Sequence, residues 1–404
     1  MERARVVVVG GGFWGCSTLY HLAALGVPDC LLVERGELAG QTTGQAAGMI
    51  GQLRGSAVAS RGATYGIEVL RGLAGPAGFR EFGSVKVALT AGREAELRRQ
   101  VAEGRALGLP VTLAGPGEAA RLAPGLDAAR IRLAAVVASD GYVDPAAAAR
   151  ALAAEAERQG ARVWRQTRVS ALRVTRDRVT GVETDRGPVR AAVVVLAAGP
   201  WAGLLAATAD VRLPLYPVRH QLAVTAPLDG LPPDFPLVRV PDACAYLRPD
   251  GRQLWFGRFE RRPRSWDPRR LAAGLEAKDV PPGQGALATA RRLLGAVFPP
   301  LAATAVVQAR AGLPGFTPDG EHLVGALARP RGLVVAAGCS ATGIMDGLAM
   351  GRVAAELAAG VRPFLDVSAM NPLRFGRRYA SRAALQAACE GVYRNYYSMR
   401  GGRV

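Results

Sequence analysis

The first 34 residues constrain this chain more than any other stretch. Arg5-Val-Val-Val-Val9 has the continuous apolar character of a strand buried on both faces of a parallel sheet. It runs directly into Gly10-Gly11-Gly12-Phe13-Trp14-Gly15 and a helical stretch to about Leu25, which Gly26, Val27 and Pro28 break. Cys30-Leu-Leu-Val33 reads as a second strand, closed by Glu34. Strand, GxGxxG, helix, strand and acid in this register form a dinucleotide-binding fingerprint. Gly10 permits the tight turn, Gly12 lets the backbone approach a pyrophosphate, and Gly15 lets the helix pack close to the strand. The helix N-terminus presents free amides and a partial positive charge to the phosphates. Glu34, 24 residues after Gly10, is placed to accept hydrogen bonds from ribose hydroxyls. FAD and NAD both satisfy the fingerprint.

Composition narrows the class. With 404 residues, half of them hydrophobic, the chain is neither a small disulfide scaffold, a coiled coil nor a disordered polymer. At about 150 residues per domain, two or three structural units are expected. No uncharged apolar run of about 18 residues occurs, so no membrane span is expected. The N-terminus lacks the ordered basic, apolar and cleavage regions of a signal peptide. Five cysteines without a CxxC pair are read as reduced thiols in a cytoplasmic protein. His21, His220 and His322 lie far apart in sequence, and no metal-ligand spacing is present.

The formal charge is +18, and only Lys86 and Lys278 are lysines. The bland reading is a coding bias toward arginine. The sharper one is an acidic partner, such as nucleic acid, a phosphorylated carrier or an acidic substrate. The densest basic group, Arg258 to Arg270, contains prolines rather than a helical face, so nucleic-acid binding is not expected.

Gly40-Gln-Thr-Thr-Gly-Gln-Ala-Ala-Gly48 follows the acidic strand directly and is rich in small residues that admit a large cofactor. The run ERGELAGQTTGQAAGMIGQLRG, residues 34–55, resembles flavin-dependent amine oxidoreductases of the D-amino-acid-oxidase superfamily. The nearest branch is the flavoprotein half of dimethylglycine and sarcosine dehydrogenases and oxidases. Asp140-Gly-Tyr-Val-Asp-Pro145, Ala198-Gly199-Pro200-Trp201, Pro217-Val-Arg-His-Gln221, Ala245-Tyr246-Leu-Arg248, Leu254-Trp-Phe-Gly257, Thr317-Pro-Asp-Gly320 and Gly332 to Gly338 extend the likeness in the family's order to about residue 380.

That resemblance implies an α/β fold: a Rossmann-type FAD-binding domain plus a substrate domain with an antiparallel sheet. The first takes residues 1–75, 140–205 and 320–365, and the second 76–139 and 206–319. A helical tail covers 366–404. The resemblance assigns FAD contacts to Gly10, Gly12, Phe13, Trp14, Gly15, Glu34 and Arg35, then to Thr42, Thr43, Gln45, Ala46, Ala47 and Gly48. Further contacts are assigned to Val169, Ala198, Gly199, Trp201 and Gly312, and to Gly338, Thr342, Gly343 and Ile344 near a helix running to about Ala359.

Departures from the family sharpen the chemistry. The histidine that bonds FAD covalently in the dehydrogenases matches Gln45, and the linking cysteine of monomeric sarcosine oxidases matches Gly312, so FAD is expected to bind non-covalently. Cys339 is the one alternative attachment point. A folate-binding domain follows the flavoprotein half in many members, and the chain ends at Val404 where it would begin, so folate-coupled transfer within this chain is not expected. The resemblance makes His220 and Tyr246 the catalytic candidates. The imidazole would accept a proton from a substrate ammonium, and the ring and hydroxyl of Tyr246 would pack on and orient it. Arg54, and behind it Arg248, are the candidates for clamping a substrate carboxylate. Trp255 matches the dioxygen-activating lysine of sarcosine oxidases, which places direct use of dioxygen in doubt. Pro314 replaces the arginine of the simple amino-acid oxidases.

Three functions compete at this point. One is oxidation of a secondary or tertiary N-alkyl amine or amino acid by hydride transfer to flavin and imine hydrolysis. The second is a biosynthetic flavoenzyme acting on a larger or carrier-bound substrate, for which an arginine-rich surface would suit an acidic carrier protein or electron acceptor. The third is a flavin electron-transfer subunit without an amine site. A disulfide reductase is excluded, because CxxxxC and a second GxGxxG unit are both missing.

Overall fold

The computed structural model describes residues 1–398 except Ala74 and Ala273. Its first large sheet is built around β1 (Glu2–Val9), with β2 (Cys30–Val33) and the strand Val189–Leu196 parallel on either side. Arg162–Trp164 extends the sheet beyond β2, and Leu333–Ala337 extends it beyond Val189–Leu196, both in parallel. An antiparallel edge strand, Leu323–Ala326, and the hairpin of Val169–Thr175 with Arg178–Thr184 complete it.

The valine run of β1 explains its central place. Val6 and Val8 face a helical layer, Val7 and Val9 face the hairpin layer, and all four are at most 3% exposed. A strand covered on both sides has no use for polar alternation. The helical layer holds α1 (Phe13–Ala24), Pro145–Arg158 and Gly347–Ala359. In α1, Leu19 and Leu22 are fully buried, which contributes about 1.5–3 kcal/mol each. The helix stops where Gly26 takes φ +69° and Val27 N–H returns to Leu22 O.

Close backbone approach holds this layer together. A Cβ on Gly15 would overlap Gly10 O, so the first turn of α1 lies directly on the strand-end turn. Gly347 and Gly351, one turn apart, leave room for Phe13 and Ser17 of α1.

The second large sheet runs Val306–Gly312, His220–Thr225, Gln253–Arg258, Ala245–Asp250, Leu237–Val240, Ser84–Ala88, Leu133–Val137 and Val111–Ala114. It is antiparallel except for one pair, Leu237–Val240 with Ser84–Ala88, which is parallel. One face buries Val238, Leu247, Phe256 and Leu254 with Phe298 and the helix Gln284–Gly295. The opposite face carries the site.

Two helix boundaries differ from the sequence expectation. The late helix begins at Gly347 rather than near Gly343, because Ser340 and Ala341 take φ +42° and +66° and the chain turns before it can wind. In the tail, Pro372 and Gly376 lie in turns, and the α-helix spans Arg382–Arg394. Residues 399–404 of the expected tail lie outside the described residues. No helix among the described residues is long and apolar enough to cross a membrane.

Gly15→Ala is expected to lower stability by about 1–3 kcal/mol, as overpacking does, because the obstructing atom is backbone and cannot rotate away. Thermal or chemical denaturation measures the loss, and an unchanged midpoint would contradict the close packing.

Candidate active site

The two sheets meet around a cavity of about 490 Å³, a volume within the range of small-molecule sites. Of the cofactor and substrate positions expected from sequence, all but Gly15, Arg54, Arg248 and Trp255 line it. Gly15 instead sits beneath, in the contact between helix and turn.

At the first sheet, the glycine turn has the form a pyrophosphate requires. Gly10 takes φ +107°, and a Cβ there would meet Ala197 O at 2.6 Å. α1 starts at Phe13 behind Gly12, so its first-turn amides have no helical acceptor. One of them, Phe13 N–H, donates to Thr43 Oγ1 at 3.1 Å. Glu34 is more than a waiting ribose acceptor. Its Oε2 accepts from Gly11 N–H at 2.6 Å and its Oε1 from Gly36 N–H at 2.9 Å, which ties the end of β2 to the glycine turn. Each oxygen keeps a lone pair. Arg35 lies with its guanidinium carbon 4.0 Å from the Trp201 ring centroid; its Nη2 is 3.8 Å from Glu276 Oε1 and has no hydrogen-bond acceptor among the described residues. A tight turn, open amides, an accepting acid and a nearby guanidinium are a set of groups that a dinucleotide fits.

Behind the cavity, Asp346 gathers three elements. Arg54 Nη1 and Nη2 donate to its two oxygens at 3.1 and 3.3 Å, and Nη1 also contacts Met345 Sδ. His322 Nε2 bonds Asp346 Oδ2 at 3.0 Å while its Nδ1 bonds Gly338 O at 3.0 Å. The Trp14 ring meets His322 edge-on, and Trp14 Nε1 donates to Gly343 O at 2.7 Å. Burial works against the ionised carboxylate, but the Arg54 charge and His322 outweigh it and hold Asp346 well below the usual carboxylate range. Arg54 is thus committed to a buried ion pair and stands outside the cavity wall, which departs from its expected place as a carboxylate clamp.

The second sheet supplies the reactive end. Arg239, Tyr246 and Gly257 are register partners across three adjacent strands. A Cβ on Gly257 would overlap the Tyr246 phenol, so this glycine lets the ring lean across its neighbour strand. The hydroxyl thereby reaches His220 Nε2 at 2.9 Å, and His220 Nδ1 meets Tyr393 OH at 3.1 Å. Phe259 stacks on the imidazole at 4.5 Å. Burial lowers the His220 pKa to about 4 and raises those of Tyr246 and Tyr393. The imidazole is therefore neutral at pH 7, with both nitrogens used. It is poorly suited to accept a proton from an ammonium group and well suited to fix a hydroxyl.

Arg248 and Trp255 face each other in the sheet but lie away from the cavity. The Arg248 guanidinium is wedged between the Tyr142 and Trp255 rings at 4.2 and 4.3 Å and pairs with Asp250 at 3.3 Å. Trp255 is further covered by Arg310 at 4.7 Å. This stack occupies both side chains, which is why neither reaches the site.

Among the cavity residues that escaped the sequence reading are Arg239, Phe259, Tyr396 and Tyr397. Tyr396 stacks on Phe259 at 3.8 Å and 6°. Tyr393, Tyr396 and Tyr397 have the i, i+3, i+4 spacing of one helical face, and that spacing was the available signal. Arg239 is the lone charge in Leu237-Val-Arg-Val240, a weaker one.

Comparison with known proteins agrees with this architecture. A family model described as DAO, FAD dependent oxidoreductase, matches residues 5–357. Human mitochondrial sarcosine dehydrogenase is 33% identical over 390 residues, covering 93% of this chain and 42% of that protein. The 4-methylaminobutanoate oxidase (formaldehyde-forming) of Paenarthrobacter nicotinovorans is 33% identical over 409 residues, covering 98% and 48%. The chain thus spans less than half the length of these relatives. Among solved structures, L-proline dehydrogenase from P. horikoshii superposes with a TM-score of 0.84 at 24% identity, covering 93% of this chain and 99% of that one, a likeness of fold.

Asp346→Asn is expected to cost up to about 3–5 kcal/mol, because it leaves the partly buried Arg54 without its counter-charge. The depressed pKa gives the sign of the pH dependence. The contribution of Asp346 is complete above about pH 4, its unfolded value, and declines as the pH falls toward its folded value. Denaturation midpoints of the two proteins between pH 7 and pH 3 should therefore converge on acidification; a constant gap would contradict the ion-pair account.

Proposed function

Because the chain belongs to the DAO family of FAD-dependent oxidoreductases, we propose that it oxidises a C–N bond of a secondary or tertiary amine, with N-alkyl amino acids as the substrate class. The observation that carries the reading is the Tyr393–His220–Tyr246 chain of hydrogen bonds ending at the cavity wall. Relatives named for sarcosine and 4-methylaminobutanoate support it. Bound FAD supplies the two-electron acceptor for a hydride from the carbon beside nitrogen, after which water hydrolyses the imine.

The protein's own task is to bind and orient. One ring nitrogen of His220 donates and the other accepts, so the imidazole fixes the rotation of both tyrosine hydroxyls. Tyr246 is the catalytic residue, its oxygen meeting the substrate nitrogen. His220 and Tyr393 are positioning residues. Neither the neutral imidazole nor the phenol stores the substrate's proton at pH 7. The largely apolar walls disfavour an ammonium ion instead and so favour the free amine, whose lone pair drives hydride departure.

The cofactor would be held by the glycine turn and α1 at the pyrophosphate and by Glu34 at the ribose. Gln45 offers no group for a covalent link. Gly312 lies against Gln45 Cβ and Thr42 Cγ2, at 3.2 and 3.3 Å from an added Cβ, and offers none either.

Two measurements test this reading. Acid precipitation of the yellow holoprotein should leave FAD in the supernatant; flavin in the pellet would contradict non-covalent binding and direct attention to Cys339. Anaerobic mixing with sarcosine, dimethylglycine, 4-methylaminobutanoate and proline should bleach the flavin with at least one of them. With that substrate, Tyr246→Phe should slow reduction roughly 10- to 100-fold, the loss of one hydrogen bond to a charged or developing charge. His220→Asn should also slow it, while the wild-type rate shows no imidazole inflection between pH 6 and 7. Absence of bleaching with every amine would overturn the reading.

A further inference from the structure

We infer that Arg239 is the carboxylate anchor of the cavity, holding the acid group of a short amino carboxylate beside the hydroxyl of Tyr246. Its guanidinium lines the cavity, and among the described residues no acceptor hydrogen-bonds it and no carboxylate oxygen lies within 4.0 Å. Nη2 is buried beside Gly51 and Asp140 and, among the described residues, has no hydrogen-bond acceptor, so the fold itself does not satisfy this guanidinium. Asp140 lies on the other side of Gly51 and feels the Arg239 charge, but its hydrogen bonds go elsewhere. Its Oδ2 accepts from Ser84 Oγ at 2.5 Å, and its Oδ1 accepts from Gln52 N–H at 2.9 Å and Gln52 Nε2 at 3.2 Å.

The other cations explain why Arg239 carries this role. Arg54 is neutralised by Asp346 and Arg248 is sandwiched between aromatic rings. Lys86, the register partner of Arg239 on the next strand, donates to Leu53 O at 3.4 Å and Gln100 Oε1 at 3.1 Å, and it adds positive charge with no acid partner within 4.0 Å among the described residues. The position also suits the ligand. Arg239 and Tyr246 face each other across adjacent strands, where Cβ atoms stand about 4.5–5.5 Å apart. The guanidinium then meets a carboxylate through its cavity-facing edge while the neighbouring hydroxyl meets a nitrogen a few bonds away.

This inference rests on the amine-oxidation reading for the identity of the ligand, so its test does not use turnover. The FAD-loaded wild-type protein is titrated with butanoate, butanamide and inorganic phosphate, and binding is followed by calorimetry and by perturbation of the flavin spectrum. Butanoate should bind, and butanamide and phosphate should not. Arg239→Gln should retain flavin and weaken butanoate about 10- to 100-fold, with Arg239→Lys recovering part of the loss. The inference is overturned if butanoate does not bind the wild type, if phosphate binds in its place, if Arg239→Gln binds butanoate unchanged, or if that variant loses flavin. Failure of every amine to bleach the flavin, with butanoate binding dependent on Arg239, would instead discard the amine reading and keep the anchor.

Discussion

The contact of Gly15 with the carbonyl of Gly10 is the constraint on which the remainder of the molecule depends. It sets the first turn of α1 on the end of β1, so that helix amides and strand-end amides point to one place. Glu34 closes the same corner from β2 through the Gly11 amide. Once this corner is fixed, the late helix packs on α1 through Gly347 and Gly351, and Asp346 at its start draws in Arg54 and His322. A backbone contact at one turn thus reaches the far wall of the cavity through two helices and a buried ion cluster.

The two sheets divide the work by their chemistry. Parallel strands buried on both faces leave function to their ends, so the first sheet binds through turns and helix termini. An antiparallel sheet has one face free to carry polar groups, and Arg239, Tyr246 and His220 use it. Charge follows the same division. Many surface arginines pair with acids, as Arg71 does with Glu81 and Arg162 with Glu2 and Asp29. The net +18 therefore says little about the site, where a few guanidinium groups differ in whether anything neutralises them.

The sequence was informative where one local pattern imposes one structure. β1, the glycine turn, α1 and Glu34 are adjacent in the chain, and each part needs the others at fixed spacing. His220 and Tyr246 could be singled out because their surroundings follow a familiar order. Their relation to each other could not be seen, since it depends on Gly257 being opposite Tyr246 and on Tyr393 arriving from a distant helix. The arginines show the limit most clearly. Arg54, Arg239 and Arg248 are alike as letters, and only Asp346, an open wall and the Tyr142–Trp255 sandwich distinguish them. Charge balance is a property of tertiary neighbours and leaves no mark on spacing.

The placement of Tyr396 and Tyr397 on the cavity wall has a consequence for synthesis. β1 is made long before its neighbour Val189–Leu196, and the aromatic wall emerges later still. Parallel pairing across such separations is slow and leaves apolar strands waiting unpaired. The binding chamber thus closes only once residues 393–397 have emerged, and a nascent chain halted before residue 393 holds the phosphate corner without the wall opposite it. Cofactor capture then acts as a seal on the assembled chamber, drawing the folding equilibrium forward by mass action.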